Sequence, residues 1–179
     1  MKQSALFSGF RTVFAAIIML SFWNPVPAQV KLSSNDWVLP TWEVAPPDKN
    51  PMFFKGESYQ GASKYIYPYA MNDVITDKRT EKAWKALKLE NEYIELCVTP
   101  EIGGKLYYAA DKSNGYNFIY KNNVVKPSNI GMLGAWVSGG IEWCVLHHHR
   151  ASTFMNVDYT TSENSDGSKT IWIGETEPR

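Results

Sequence analysis

The stretch LENEYIELCVTPEIGGKLYYAADKSNGYNFIY, Leu89 to Tyr120, alternates short apolar runs with turn signals. The runs YIELCV and KLYYAA are separated by a proline and by the pair Gly103-Gly104. A second turn signal, Asn114-Gly115, follows the second run. Short apolar runs that are punctuated by Gly, Pro and Asn-Gly are typical of β-strands joined by tight turns. The stretch therefore predicts successive β-strands.

The same pattern continues outside this stretch, where turn signals come often and the runs between them are aromatic or β-branched. NSDGS, Asn164 to Ser168, contains the Asp-Gly pair of a β-hairpin. Many short strands with frequent turns predict an all-β sandwich or barrel. The predicted strands are Trp37 to Val44, Lys64 to Tyr69, Glu92 to Val98, Lys105 to Ala109, Asn117 to Lys121, Leu133 to Ser138, Ile141 to Val145, Phe154 to Thr160 and Thr170 to Glu175.

One segment, TDKRTEKAWKALKLE from Thr76 to Glu90, has the composition of a helix. Its end, LKLENEYIEL, instead places a polar Glu90-Asn91 turn between two apolar pairs, as in a strand that enters a hairpin. A helix over the segment and a strand over Ala86 to Leu89 therefore compete, and we favour the strand.

The first 28 residues have the pattern of a secretory signal peptide. Lys2 and Arg11 precede an apolar run from Thr12 to Trp23, and VPA at Val26 to Ala28 is a small-residue cleavage site. The apolar run is well short of the roughly 20 residues that a spanning helix needs. We expect cleavage before Gln29 and export to the periplasm, cell surface or medium, in preference to an uncleaved N-terminal anchor.

The mature chain, residues 29–179, has the length of one domain. It carries two more acidic than basic residues, because the leader holds two of the 18 Lys and Arg and none of the 18 Asp and Glu. Nucleic acid and anionic membrane surfaces are therefore poor partners, and no membrane span is expected after cleavage. A strand that stops four residues before Arg179 predicts a domain that continues beyond this chain.

The two cysteines, Cys97 and Cys144, could form one disulfide bond in an oxidising compartment. Two cysteines are nevertheless far from a disulfide framework, and Cys97 lies in an apolar run where it suits a buried thiol. We expect the two thiols to stay unpaired.

All three histidines lie in GGIEWCVLHHHR, Gly139 to Arg150. On a strand, His147 and His149 would share one face, which could chelate zinc, and His148 would point to the other. A catalytic zinc usually has three protein ligands, and no third ligand is evident at metal spacing. The sequence therefore predicts no metal and no other cofactor.

Acid–base chemistry is a second interpretation of this segment. A histidine and a glutamate are usual partners in proton transfer, and Glu142 lies close in sequence to His147, His148 and His149. The structural alternative is that Glu142 pairs with Arg150 in a loop and that the histidines are surface groups. Three histidines behind a glycine-rich turn favour a catalytic or binding pocket.

Trp136 and Trp143 bracket the Gly139-Gly140 turn. Most tryptophans in a β-domain belong to the core, but an indole can also stack on the C–H face of a sugar ring. Arg150 adds a rigid fork of hydrogen-bond donors. We therefore predict that Glu142 and the three histidines are catalytic, and that Arg150, Trp143 and Trp136 bind a sugar.

The stretch from Leu89 to Tyr120 resembles the opening of the galactose mutarotase-like β-supersandwich. Together with WEVAPPDKNPMFF, GMLGAWVSGGIEW, HHHRASTFMNVDY and DGSKTIWIGE, it more specifically resembles an uncharacterised domain-of-unknown-function family. That family is secreted, occurs in gut Bacteroidetes and often precedes tetratricopeptide repeats. The resemblance covers residues 37–179.

The resemblance implies a domain that faces carbohydrate. In mutarotases a histidine acts as acid and a glutamate as base, and the histidine role falls on His147 to His149. The base has no counterpart here, because the mutarotase glutamate lies late in the domain and Glu142 is not at its place. Cys144 stands where an asparagine is expected, and Lys105 follows Gly-Gly where arginine is usual.

Residues and resemblance together predict an exported carbohydrate-recognising domain of a glycan-active protein, of mutarotase-like or glycoside-processing type. We expect this chain to be the N-terminal portion of such a domain and not catalytically complete by itself. The alternative is a non-catalytic carbohydrate-binding or protein-interaction module, in which the histidines and tryptophans shape a platform.

Overall fold

The computed structural model describes residues 29–50, 52–53, 66–67, 69–129, 134–144 and 151–176. These residues form eleven strands and two short 3₁₀ turns, at Pro100–Ile102 and Ala151–Phe154, and none of them lies in an α-helix. The strands are β1 (Lys31–Val44), β2 (Met52–Phe53), β3 (Ile66–Tyr67), β4 (Ile75–Glu90), β5 (Ile94–Thr99), β6 (Lys105–Asp111), β7 (Tyr116–Asn117), β8 (Ser128–Asn129), β9 (Ala135–Trp136), β10 (Asp158–Glu163) and β11 (Lys169–Gly174).

The strands form antiparallel sheets, which confirms the predicted all-β fold. The main sheet has five strands in the order β1-β4-β5-β6-β7. Three two-stranded sheets, β2-β3, β8-β9 and β10-β11, complete the set found in the described ranges. Within this part of the chain, no helical segment has the length and hydrophobicity needed to span a bilayer.

The segment with helical composition is the longest strand, β4, so its helix interpretation is wrong and the strand over Ala86 to Leu89 is confirmed. β4 pairs with β1 from Lys31 opposite Glu90 to Trp42 opposite Arg79. Helix propensities of the residues involved differ by less than about 1 kcal/mol each. Tertiary pairing along a whole strand outweighs such small local preferences.

The hairpin between β4 and β5 turns where the sequence predicts, directly after Glu90. The side-chain oxygen of Asn91 accepts hydrogen bonds from the backbone N–H groups of Tyr93 and Ile94, each at 2.8 Å. Asparagine bonds its own backbone in this way in tight turns, which is why it is common there. This turn sets the register of β5 against β4.

Several predicted strands need correction. The strand predicted from Leu133 to Ser138 covers, in its described part, only Ala135–Trp136. The strand predicted from Asn117 to Lys121 ends at Asn117, because the chain bends at Ile119. Ile141 to Val145 forms only one bridge, between Ile141 and Leu106, over its described part. Phe154 lies in a 3₁₀ turn, so the strand predicted from Phe154 starts at Asp158 instead. Neither the bend at Ile119 nor the 3₁₀ turn at Ala151–Phe154 contains a Gly or Pro that would signal it.

The main core lies on one face of the five-stranded sheet. Trp84 is 3% exposed, and its indole N–H donates to the hydroxyl oxygen of Thr41 at 2.9 Å. That bond satisfies the only polar atom of the buried indole, as burial requires. The other members of the cluster are Ile102, Tyr107, Val125 and Val137, with Trp37, Leu39 and Phe154 packed against them.

The β10–β11 hairpin packs against the sheet beside the Gly103-Gly104 turn. Gly104 has a φ of 68°, and a Cβ placed there would overlap Cγ2 of Ile173. Only glycine meets both conditions without strain. The predicted Asp-Gly hairpin is confirmed: Gly167 has a φ of 84°, and its N–H donates to the carbonyl of Asn164 at 2.9 Å.

Candidate functional site

Glu142 lies in a loop, half-buried, with its carboxylate held by side chains from two other elements. The indole N–H of Trp136, on β9, donates to Oε2 at 3.2 Å. The hydroxyl of Thr153, in the second 3₁₀ turn, donates to Oε1. Thr153 is 2% exposed, so its hydroxyl has little access to water. The two bonds fix the orientation of the carboxylate although its own backbone is irregular.

The loop reaches this position because the Gly139-Gly140 turn docks directly on β6. Both glycines have positive φ values, 89° and 70°. A Cβ on Gly140 would lie 2.7 Å from the carbonyl oxygen of Leu106, so only glycine allows this approach. Leu106 and Ile141 then exchange two backbone hydrogen bonds, of 2.9 and 3.2 Å. The glycine-rich turn predicted from sequence is confirmed, and it brings Glu142 to the sheet.

Lys105, the first residue of β6, is 1% exposed and lies behind the same turn. Its ammonium donates to the carbonyl oxygens of Val137 and Gly139, the latter at 3.1 Å. It also lies 5.4 Å from the ring centroid of Trp136. Burial lowers the pKa of Lys105, and the negative charge of Glu142 works against that shift. A buried cation therefore lies beside the carboxylate.

Trp143 is 45% exposed, in contrast to the buried Trp84. Its indole N–H donates to the carbonyl oxygen of Gly104 at 3.0 Å, which anchors the ring to the Gly103-Gly104 turn. The ring borders a groove of about 380 Å³ between the sheet and the β10–β11 hairpin. The remaining lining residues are apolar or glycine: Val98, Gly104, Val157, Ile171, Ile173 and Gly174.

Of the seven predicted site residues, the structure joins Trp136 and Glu142 by a hydrogen bond, and Trp143, the next residue of the loop, lies at the groove beside Gly104. His147, His148, His149 and Arg150 lie outside the described residues, so their predicted roles stay predictions. Among the residues that are described, no group of three His, Cys, Asp or Glu side chains could hold a metal ion. Cys97 is buried and Cys144 exposed, and both are free thiols.

Sequence reasoning missed two members of the site, Lys105 and Thr153. The sequence marks Lys105 only as the residue after Gly103-Gly104, a lysine where the resemblance to mutarotases leads us to expect arginine. Thr153 carries no signal in the sequence, because a threonine in a turn is ordinary. Both residues belong to the site through contacts that are distant along the chain, 32 to 34 residues for Lys105 and 11 for Thr153.

A family model with the description Domain of unknown function (DUF5107) matches residues 62–179. The chain belongs to this family. The matched residues include the Gly139-Gly140 turn, Glu142 with its two donors, and the β10–β11 hairpin. The described part of the candidate site therefore lies inside the match. The resemblance to a domain-of-unknown-function family that the sequence motifs predicted is thereby confirmed.

The structure of this DUF5107 chain is similar to the crystal structure of a TPR-domain containing protein from Parabacteroides distasonis ATCC 8503. The TM-score is 0.64 at 22% sequence identity, and the match covers 77% of this chain. At this level of identity the likeness shows a shared fold alone. The match spans 23% of the length of that other protein.

Proposed function

We propose that the Glu142 site recognises carbohydrate. The observation that carries the proposal is a carboxylate held in place by Trp136 and Thr153, in a loop whose next residue, Trp143, presents a half-exposed indole. A neutral sugar offers hydroxyl groups that need fixed acceptors and donors, and an apolar C–H face that stacks on an aromatic ring. The loop thus carries an oriented carboxylate and, one residue later, an anchored indole, which supply an acceptor and a stacking surface.

Each oxygen of Glu142 is oriented by one hydrogen bond, from Trp136 on Oε2 and from Thr153 on Oε1. An ionised carboxylate oxygen can accept more than one hydrogen bond. A sugar hydroxyl that donates to Glu142 would therefore meet an acceptor that is already oriented. Less conformational freedom is lost on binding when the site is ordered beforehand.

The protein around this site is proposed to be an exported, galactose mutarotase-like domain of a glycan-active protein. In that setting His147, His148 and His149 would act with Glu142 in proton transfer, and Arg150 would donate to sugar hydroxyls. Export predicts that the mature protein begins at Gln29. Mass spectrometry of the exported product checks this, and recovery of intact Met1 from the membrane fraction would contradict it.

One observation favours a second candidate, a non-catalytic carbohydrate-binding module. Both oxygens of Glu142 accept hydrogen bonds from within the protein, and one donor, Thr153, is buried. A carboxylate held in this way suits a fixed acceptor better than a base that must change its hydrogen bonds during a reaction. The two candidates differ in whether bound sugar is converted.

The test is a pair of tryptophan variants in the full-length protein, Trp143→Ala and Trp172→Ala. Trp172 is the matched control, because it is 60% exposed on β11 and its indole N–H bonds the hydroxyl of Ser162. We expect Trp143→Ala to weaken sugar binding by roughly tenfold, as loss of an aromatic contact of about 1 kcal/mol or more implies. Trp172→Ala should bind like the parent.

Calorimetry against a panel of neutral monosaccharides and oligosaccharides gives the affinities, with a thermal melt of each variant. Proton NMR of the sugar anomers shows whether the protein speeds their interconversion, which separates a mutarotase-like enzyme from a binding module. A parent that binds no member of the panel, or equal affinities of both variants, would show that carbohydrate recognition at this site is wrong.

A further inference from the structure

Lys105 occupies a costly position for a charged side chain. It is 1% exposed and belongs to the largest fully buried side chains of the described residues. A buried charge destabilises a fold unless hydrogen bonds or opposite charges compensate it. An apolar residue at this place in β6 would avoid the cost. The contacts of the ammonium show what the charge does there.

The ammonium binds the backbone of the segment that leads into Glu142. Val137 and Gly139 direct their carbonyl oxygens to Nζ, so one ammonium holds the chain on both sides of Ser138. The amide of Asn122 donates to the carbonyl and the hydroxyl of Ser138, at 2.8 and 2.7 Å. Side chains thus hold three successive residues that are not part of a strand.

Backbone hydrogen bonds hold the chain just after this segment, where Gly140 donates to the carbonyl of Tyr120 at 2.7 Å and Ile141 pairs with Leu106. β9 ends at Trp136, and Ile141 makes one isolated bridge to β6. The hydrogen bond of Lys105 to the Val137 carbonyl is buried, and the one to the Gly139 carbonyl is partly buried. A buried carbonyl oxygen that lacks a donor destabilises the fold. Lys105 provides donors for both, and a charged donor forms a stronger hydrogen bond than a neutral one. The ammonium therefore supplies these two carbonyls with the hydrogen bonds that a neighbouring strand would otherwise give.

We propose that Lys105 is a positioning residue: its buried ammonium holds the Val137–Gly139 backbone and thereby places Glu142 for ligand binding. The effect of Lys105 on ligand binding rests on the proposed function. The positioning itself does not, because it concerns the geometry of the protein without ligand. Lys105 is too deeply buried to contact a ligand, so its effect on binding is transmitted by the segment it holds.

The experiment replaces Lys105 by methionine, an unbranched side chain that is one heavy atom shorter and carries no charge. Lys112→Met is the matched control, since Lys112 lies just beyond the other end of β6 and is exposed. The readout is the indole N–H resonance of Trp136 in a nitrogen-15 NMR spectrum, assigned by its loss in Trp136→Phe. That N–H donates to Glu142, so its shift responds to the position of the carboxylate. Because the Lys105 ammonium itself lies 5.4 Å from the centre of the Trp136 ring, Lys105→Arg, which keeps the charge, is recorded beside Lys105→Met to separate loss of the charge from movement of the carboxylate.

We expect Lys105→Met to displace the Trp136 resonance and to weaken sugar binding roughly tenfold, the usual effect of losing a charged hydrogen-bond donor. The Trp172 resonance should stay in place, and Lys112→Met should change neither readout. A folded Lys105→Met protein with an unchanged Trp136 resonance would overturn the proposal. If the parent binds no sugar, the proposed function is wrong, and the resonance alone decides the role of Lys105.

Lys105→Arg keeps the test decisive if Lys105→Met does not fold. Arginine retains the charge but places its donors in a longer, planar group. We expect a folded Lys105→Arg protein whose Trp136 resonance is displaced, because the two carbonyls must then move to reach the new donors. An unchanged resonance would show that the position of Glu142 does not depend on Lys105.

Discussion

Glu95 and Glu142 are both half-buried carboxylates that accept a hydrogen bond from an aromatic side chain near a lysine, but the two clusters are built differently. Glu95 lies on β5, accepts from the hydroxyl of Tyr108 on β6, and pairs with Lys88 on β4 at 2.9 Å. These residues are diagonal neighbours on one face of a regular sheet, where side chains can reach each other. Strand register alone brings them together.

The Glu142 cluster, which consists of Glu142, Trp136, Thr153 and the nearby Lys105, is not aligned by the pairing of neighbouring strands. Its carboxylate lies in a loop, and its donors come from a two-residue strand and a 3₁₀ turn. The nearby Lys105 bonds backbone carbonyls, whereas Lys88 bonds the carboxylate itself. The difference indicates that the Glu95 cluster stabilises the sheet, whereas the Glu142 carboxylate is held in a fixed orientation by residues from other elements. Binding residues commonly lie on loops that a rigid scaffold positions.

The largest expected effect comes from breaking the contact between the Glu142 loop and the sheet with Gly140→Ala. Gly115→Ala is the matched control, because Gly115 has nearly the same φ, 73°, but no atom within 4 Å of an added Cβ. We expect a loss of about 3 kcal/mol for Gly140→Ala and about 1 kcal/mol for Gly115→Ala, since only the first adds a clash with backbone to the strain of a positive φ. Urea unfolding measures both.

Equal losses for the two glycine variants would show that the loop yields to the added methyl group. The docking of the turn on β6 would then not be what holds Glu142 in place. The Trp136 indole resonance, recorded for the same Gly140→Ala protein, should move in step with the loss of stability.

A smaller effect separates the two carboxylates themselves. Glu95→Gln should lower the free energy of unfolding by about 1 kcal/mol at neutral pH, because it removes a partly buried ion pair. Glu142→Gln should weaken sugar binding and leave the melting temperature near that of the parent. Glu81→Gln is the control, since Glu81 makes an exposed 3.5 Å pair with Arg79. If Glu142→Gln lowers stability as much as Glu95→Gln does, both clusters are structural.

The pH dependence adds a check on Glu95. Burial acts to raise its pKa, but hydrogen bonds from Tyr108 and Lys88 and the charges of Lys88 and Lys112 outweigh burial, so the pKa is lowered from 4.5. A carboxyl whose pKa is lowered by folding stabilises the fold at pH values above its pKa in the unfolded state. That contribution is lost as the pH falls through its pKa in the folded state. The stability difference between the parent and Glu95→Gln should therefore shrink below about pH 4.5.

Parts of the fold and of the site were predictable from sequence for a physical reason. The Gly103-Gly104, Asn114-Gly115 and Asp166-Gly167 turns were found because a positive φ restricts the choice of residue. β4 was uncertain because its charged, helix-favouring composition is overridden by pairing with β1. The strand predicted from Ile141 is reduced to one bridge in its described part, and the chain just before it is held by Lys105 and Asn122, which are distant in sequence.

The sequence by itself determined the all-β class, the main turns, the family and the grouping of Trp136, Glu142 and Trp143 around a glycine pair. These follow from local rules: alternation of side chains, the conformational freedom of glycine, and closeness along the chain. Only the tertiary structure decided which tryptophan is exposed, that Thr153 bonds Glu142, and that Lys105 is buried beneath the turn. Burial and long-range hydrogen bonds depend on which elements meet in space, and no local pattern encodes that meeting.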